Sequence, residues 1–146
     1  MPTETITRER IDELLAYLPS FSAPSAAHQA IWRGGERDPQ TGTISMPYAS
    51  YLPEVEAFFG LVRQSWWLDY AYQPSIAAEL IASDAAIAAA SLAQIKMLLT
   101  YCVRGERFSD GHWAAMIQSG RIAAILQRLA QLRDQEQSPY TGQPSQ

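Results

Sequence analysis

Hydrophobic residues recur every three or four positions along most of the chain, and the positions between them are mainly polar. In the last such segment, Ile122, Ile125, Leu126 and Leu129 fall on one side of a helical wheel. This spacing is typical of amphipathic helices that each bury one face. The pattern predicts six helices, at residues 7–18, 53–66, 75–82, 84–104, 111–119 and 121–133.

Residues 29–50 do not follow this spacing. Glycines and the turn-forming run 38–42 interrupt the segment, and residues 43–46 are the part best suited to a short strand. We expect either a hairpin pinned by Trp32 and Met46 or a loop. The predicted fold class is therefore mainly α, a single compact domain of about six helices with one irregular loop or hairpin segment.

The composition is that of one globular domain. The chain has 146 residues, of which 47% are hydrophobic and 18% are charged, enough for a single core. We expect residues 1–134 to form this domain and residues 135–146, which are rich in Gln, Ser and Pro, to form a flexible tail. No apolar run reaches the roughly 18 residues that a membrane span needs, so we predict no membrane association.

The single cysteine indicates the compartment. Cys102 falls on the apolar side of a predicted helix, so we expect it to be a small buried hydrophobic residue in a reducing environment. Residues 1–10 alternate acidic and basic groups and lack the apolar core of a secretory signal. The sequence therefore predicts a cytoplasmic protein.

Charge argues against nucleic-acid binding. The formal net charge is −4, and a nucleic-acid interface needs a basic footprint. Residues 1–95 carry five Arg against eleven Asp or Glu, a net charge of −6, whereas residues 96–146 carry six Lys or Arg against four Asp or Glu, a net charge of +2. This asymmetry either attracts an acidic partner to the second half or helps to hold the two halves together.

Ionisable residues are concentrated at residues 103–113, where the chain must turn between two predicted helices. A structural interpretation accounts for several of them. Arg104 lies in the last turn of a helix, Gly105 supplies a left-handed residue after it, and Asp110 caps the next helix. Glu106 pairs with Arg107 in this interpretation, or Arg107 reaches another carboxylate.

A functional interpretation uses the same residues. Arg104, Arg107 and the free N–H groups of the following helix would bind a small anion. His112, kept neutral by the helix dipole, would then act as a general base oriented by Glu106 or Asp110, as in a small hydrolase or transferase. Against this, residues 110 and 112 do not face each other on a helix, and no nucleophile motif is present.

Metal and cofactor sites are not predicted. The two histidines, His28 and His112, lack the spacing of paired helical ligands, and Gly34-Gly35 lacks the lysine of a phosphate-binding loop. We therefore predict neither a metal nor a cofactor, and an enzyme remains the less favoured hypothesis.

Aromatic residues favour a binding module. Trp66 and Trp67, together with Trp113 in the charged segment, are residue types that protein interfaces prefer. The alternative is that the tryptophans only close the irregular part of the fold. We expect a protein that binds a protein partner or a small anionic ligand through residues 104–113 and these aromatic side chains, and homo-oligomerisation stays open.

Several segments together identify a family resemblance. They are residues 99–108, Asp110-Gly111-His112, Ser119-Gly120, residues 125–129, Met46-Pro47-Tyr48 and residues 53–58. The chain resembles a family of small bacterial proteins catalogued as domain of unknown function six-five-zero-eight, with Val103 to His112 as the hallmark. The order of residues at Trp67-Leu68-Asp69 departs from the family pattern. The resemblance implies a soluble bacterial protein and implies no activity.

Overall fold

The helices begin where the sequence supplies capping residues. In the computed structural model, which describes residues 6–137, Thr7 Oγ1 accepts a hydrogen bond from the backbone N–H of Arg10, and Pro53 and Pro74 occupy first-turn positions. The helices are α1 (Arg8–Leu15), α2 (Leu18–Phe21), α3 (Pro53–Val62), α4 (Pro74–Ile81), α5 (Asp84–Ala88), α6 (Leu92–Phe108), α7 (His112–Gln118) and α8 (Arg121–Gln137). The described part of the chain is thus mainly helical, as predicted.

The helix predicted at residues 84–104 is divided into α5 and α6. Ser91 begins α6 with a capping box: its Oγ accepts from the backbone N–H of Gln94, and the Gln94 side chain accepts from the backbone N–H of Ser91. The cap diverts the backbone before α6 begins, so the predicted continuous helix is wrong. Ser83, rather than Asp84, caps α5.

The end of α6 also differs from the prediction. The helix continues through Phe108 instead of ending at Arg104. Gly105 is therefore an interior helical residue and not a left-handed cap, and Arg104 is not in the last turn. The residue in the last turn that can meet the negative end of the helix dipole is Arg107.

The core is formed by the predicted apolar faces. α8 packs against α1, α2, α5, α6 and α7, and it therefore contacts most of the other helices. The buried residues of the three main faces are Val55, Phe58, Phe59 and Val62 of α3, Ile95, Leu98, Leu99 and Cys102 of α6, and Ile122, Ile125, Leu126 and Leu129 of α8. In α3, α6 and α8 the side that the spacing selects is the buried side, so the prediction of these three faces is confirmed. The stripe predicted through residues 84–104 is wrong in its first part, because Ala88 and Ser91 are exposed and Ile87 is buried instead.

A short hairpin occupies the irregular segment. Strands β1 (Ile31–Arg33) and β2 (Tyr48–Ser50) pair antiparallel, with Trp32 opposite Ala49, and a 3₁₀ turn (Ala26–His28) precedes them. Residues 43–46, expected to form the strand, contribute only an isolated bridge from Ile44 to Arg37.

The hairpin is not pinned by its apolar residues as predicted. Trp32 is 57% exposed and Met46 is 82% exposed, because they lie on the outer surface. Polar bonds accompany the backbone pairing instead: Arg33 Nε donates to Ser50 Oγ at 2.8 Å, and Ser50 Oγ donates to the carbonyl of Ile31 at 3.1 Å.

The last helix extends past the predicted domain boundary. α8 (Arg121–Gln137) includes three residues that follow the predicted boundary at residue 134. The remainder of the expected tail, residues 138–146, lies outside the described residues. Within residues 6–137, every helix is too short or too polar to cross a bilayer.

Candidate functional site

The predicted charged segment lies at the end of α6 and the start of α7, where it forms one wall of a cavity of about 420 Å³. Residues from the end of α3 and from the turn after it complete the lining. We call this the arginine cavity, and it is lined by Arg63, Leu68, Val103, Arg104, Glu106, Arg107 and Trp113. Three guanidinium groups and a single carboxylate thus share one space.

The carboxylate of Glu106 joins three parts of the fold. Its Oε1 accepts from the hydroxyl of Tyr51 at 2.8 Å and from the backbone N–H of Trp113 at 2.8 Å, and its Oε2 accepts from the backbone N–H of Gly111 at 3.0 Å. We call this set the Glu106 clamp. Since both oxygens are engaged, Glu106 serves as the cap of α7 and is not free to act on a substrate.

The clamp replaces two interactions that the sequence predicted. Asp110 does not cap α7: its Oδ2 accepts from the backbone N–H of Ala49 at 3.3 Å and so joins the loop to β2. Glu106 and Arg107 form no ion pair in the described part of the chain. Both predictions were wrong. The carboxylate that accepts from the free N–H groups at the start of α7 is that of Glu106, four residues before Asp110.

The other members of the clamp are fixed by local chemistry. Gly111 stands at φ 92°, a left-handed conformation that favours glycine, and this conformation aims its N–H at Glu106. Burial, together with the hydrogen bond to Glu106, raises the pKa of the Tyr51 hydroxyl above its ordinary value. The phenol therefore stays protonated and keeps donating throughout the neutral range.

Trp113 forms a rigid apolar wall of the arginine cavity. Its ring stacks on Phe59 with centroids 4.3 Å apart and planes 7° apart, and its Nε1 donates to the carbonyl of Val103 at 3.4 Å. The guanidinium of Arg63 lies 5.4 Å from the ring centroid. The ring is already held in place, so a ligand that binds in the cavity would contact it without a further loss of side-chain entropy.

The arginines of the cavity differ from those elsewhere in the fold. Five arginines donate hydrogen bonds to protein acceptors, namely Arg33, Arg37, Arg121, Arg128 and Arg133. Arg63, Arg104 and Arg107 donate none to the residues that the structure describes, and the guanidinium of Arg104 instead lies 5.3 Å from the centroid of the Tyr72 ring. Their N–H donors are consequently available to an anion.

His112 belongs to a second cavity, of about 290 Å³, on the other side of Arg104. We call this the histidine cavity, and its lining is Tyr72, Pro74, Tyr101, Arg104, Gly105, Ser109 and His112. Arg104 lines both cavities, whereas Arg107 lines only the first. The structure therefore separates two residues, His112 and Arg107, that the enzyme hypothesis places on one substrate.

The imidazole of His112 packs tightly against α6. A Cβ built on Gly105 would overlap the imidazole, so the glycine makes room for the ring. His112 Nε2 is buried and has no hydrogen-bond partner among residues 6–137. Desolvation lowers the pKa of His112, and the nearby Glu106 carboxylate opposes that effect. Burial, rather than the helix dipole, is thus the main physical reason for a neutral imidazole.

The two tryptophans of the predicted aromatic surface lie in different environments. Trp67 is fully buried in the core, so it cannot contact a ligand as predicted. Trp66 is half-buried, and the guanidinium of Arg10 lies 3.7 Å from its ring centroid. The turn is drawn inward because the backbone N–H of Asp69 donates to the buried Thr100 Oγ1 at 2.8 Å.

A polar cluster that was not predicted from the sequence surrounds His28. This buried side chain accepts from the backbone N–H of Ser25 at Nδ1, while its Nε2 lies 2.9 Å from Ser20 Oγ and 3.1 Å from Glu54 Oε1. An Nδ1 that accepts must be unprotonated, so the ring proton is on Nε2. A base that activates a serine needs a free Nε2, and the cluster is therefore a structural cap rather than a catalytic triad.

The residues needed for a metal site are not brought together. Within the described ranges, no group of three or more His, Cys, Asp and Glu side chains is placed to hold a metal ion. His28 and His112 lie in separate polar environments, one beside Glu54 and one beside Tyr101.

Comparison with known proteins gives one match. The model of a family described as "Family of unknown function (DUF6508)" matches residues 6–135, nearly the whole of the described chain. No curated protein and no solved structure matches the sequence.

Proposed function

Because the chain belongs to the DUF6508 family, whose function is unknown, its own geometry must supply the hypothesis, and we propose that it is a binding protein for a small organic anion. The ligand occupies the arginine cavity. Its carboxylate or phosphate group binds Arg104 and Arg107, and the part of the ligand next to this group lies against Trp113 and Leu68.

One observation carries this proposal: the arginine cavity is lined by three arginines whose guanidinium groups donate to no protein acceptor in the described chain. Guanidinium groups bind carboxylates and phosphates through paired, charge-assisted hydrogen bonds. Glu106, the one carboxylate among the described residues of the lining, is already engaged by three donors of the clamp. The net positive charge of the cavity is therefore left for a ligand.

The dimensions of the site favour a small molecule over a protein partner. A volume of about 420 Å³ falls within the usual range for small-molecule sites, which are mostly apolar with a few polar groups. Leu68, Val103 and Trp113 provide the apolar part of the lining, and the arginines provide the polar part.

The geometry supports binding better than hydrolysis or group transfer. In the alternative hypothesis, His112 is the general base and Glu106 orients it. Glu106 instead bonds to Tyr51 and to the start of α7, and the Nε2 of His112 faces Gly105. A base must reach the proton that it removes, and this imidazole lies outside the arginine cavity.

The bacterial cytoplasm is the proposed compartment. Cys102 is fully buried, and burial raises the pKa of its thiol to about 12, so the protein keeps it as an inert packing residue. A domain held together by its core, without a disulfide in the described residues, suits a reducing environment.

The proposal is tested with benzoate and phenyl phosphate as anionic probes and benzyl alcohol as the neutral control. Isothermal titration calorimetry and the shift in Tm would be measured for the parent, for Arg104→Ala/Arg107→Ala, and for Arg8→Ala. Arg8 is an exposed arginine of α1 that lines neither cavity, so its removal controls for net charge.

We expect both anions to bind the parent and Arg8→Ala, and the double variant to lose at least about tenfold in affinity, since a hydrogen bond to a charged group contributes roughly 1.5–3 kcal/mol. Equal binding of benzyl alcohol, or an unchanged affinity of the double variant, would contradict the proposal. So would the absence of any Tm shift at about 10 mM of either anion.

A further inference from the structure

We infer that the histidine cavity holds the hydrocarbon part of the same ligand, so that the natural ligand is an amphiphilic anion such as an alkyl carboxylate. Its head is bound in the arginine cavity, and its chain passes Arg104 to lie between Tyr72 and Tyr101. This inference rests on the proposed function and deepens it.

The two cavities share Arg104 as a common wall. Around α6, Val103 and Arg107 line the cavity on one side of this residue, and Tyr101 and Gly105 line the cavity on the other. Tyr101 and Arg107 are six residues apart, which is roughly 9 Å along a helix axis. A ligand that occupies both cavities would therefore have to cross only the Arg104 side chain.

The lining of the histidine cavity selects an apolar occupant. Tyr72, Pro74 and Tyr101 present rings, and Gly105 presents bare backbone. Arg104 is the one formally charged group among the described residues of the lining, and it already lies over the Tyr72 ring. An anionic head group should bind in the arginine cavity, which three arginines line, rather than in the histidine cavity, which only Arg104 lines.

His112 makes the same cavity still less polar. The imidazole contacts the Tyr101 ring edge-on with centroids 5.5 Å apart, and its Nε2 is turned into the protein against Gly105. Desolvation keeps the ring neutral by lowering the pKa of His112. A neutral ring packed among aromatic side chains suits a hydrocarbon chain better than a polar group.

The experiment measures the Kd of the folded, full-length protein for butyrate, hexanoate, octanoate and decanoate by isothermal titration calorimetry. Kd should fall by up to about fourfold for each methylene that enters the histidine cavity, because burying a methylene is favourable by a nearly constant amount. A Kd that is the same from butyrate to decanoate would overturn the inference and leave the proposed function standing.

A cavity-filling variant provides the second arm. Ser109 is exposed and lines the histidine cavity, so Ser109→Trp should remove the chain-length dependence while butyrate still binds. The matched control is Ser119→Trp, at the exposed C-terminal cap of α7, which lines neither cavity.

The outcomes separate the two hypotheses. If decanoate binds Ser109→Trp as tightly as it binds the parent, the chain does not use the histidine cavity and the inference is wrong. If decanol binds as tightly as decanoate, the arginines do not select the head group, and the proposed function fails as well. Loss of the chain-length dependence in Ser109→Trp alone supports the inference.

Discussion

The imidazole ring of His112 packs so closely against Gly105 that a Cβ at position 105 would overlap the ring. The glycine stands inside α6, where it is usually unfavourable, and the ring stands in the first turn of α7. The close approach of these two residues fixes the angle at which α7 leaves α6.

Gly105→Ala should destabilise the protein by about 1–3 kcal/mol, although alanine is the better helix former by about 1 kcal/mol. The added methyl group would displace the imidazole. In a His112→Ala background the same change should be neutral or stabilising, since the ring is gone. Urea unfolding of the four proteins of this cycle measures the coupling, and a Gly105→Ala penalty that is equal in both backgrounds would refute it.

Glu106→Ala should cost about 3 kcal/mol or more, because it leaves three donors of the clamp without their acceptor. Tyr51→Phe removes only one of these bonds and should cost about 1 kcal/mol. Both values come from urea unfolding at neutral pH. A loss for Glu106→Ala no larger than that for Tyr51→Phe would mean that Glu106 does not hold the start of α7.

Arg107→Ala should leave the free energy of unfolding within about 0.5 kcal/mol of the parent, since its side chain is exposed and donates to no described protein group. Arg128→Ala is the matched comparison. Its half-buried guanidinium donates to the carbonyl of Ala90 at 2.8 Å, and its loss should cost about 1 kcal/mol. A large destabilisation of Arg107→Ala would assign that arginine to the fold and weaken the proposed function.

Stability should fall on mild acidification because of His112. Desolvation lowers its pKa in the folded protein below the unfolded value of 6.5, so the unfolded chain binds the proton more readily. Above pH 6.5 the imidazole is neutral in both states and does not lower the free energy of unfolding. As the pH falls from 6.5 through the lower, folded pKa, the unfolded chain takes up the proton more readily and the free energy of unfolding decreases. His112→Gln should therefore lose less stability than the parent between pH 7.5 and pH of about 5.

The measurement compares urea midpoints of the parent and His112→Gln at several pH values in that window. Groups shared by the two proteins contribute equally, so the difference between the curves isolates the imidazole. Parallel curves would show that residue 112 is not the group responsible.

The helical core was predictable because its signal is local. The apolar residues of α3, α6 and α8 repeat within one or two turns, and no distant contact is needed to choose the buried face. The break between α5 and α6 was also present in the sequence, as the capping-box pair Ser91 and Gln94. That signal was missed because Ser91 also fits the spacing of a continuous apolar stripe.

The site was predictable only in part, because some of its residues come from distant parts of the chain. Arg104, Arg107 and Trp113 lie in the segment that charge density selected. Arg63 and Tyr51 reach them from more than 40 residues away, and nothing local marks either residue. The role of Glu106 depends on Tyr51 in the same way, so the sequence could not distinguish a cap from a catalytic carboxylate.

The position of Trp113 gives the protein an optical reporter of its own. Of the four tryptophans in the sequence, this is the one that lines the arginine cavity in the described structure, with the Arg63 guanidinium over its ring. Trp67 is fully buried in the core, while Trp32 on the hairpin is largely exposed and adds background emission. With Trp32 replaced by phenylalanine, Trp66 and Trp67 would still emit, and the change in intrinsic fluorescence on adding a ligand would report occupancy of the cavity through Trp113, without a label and in real time.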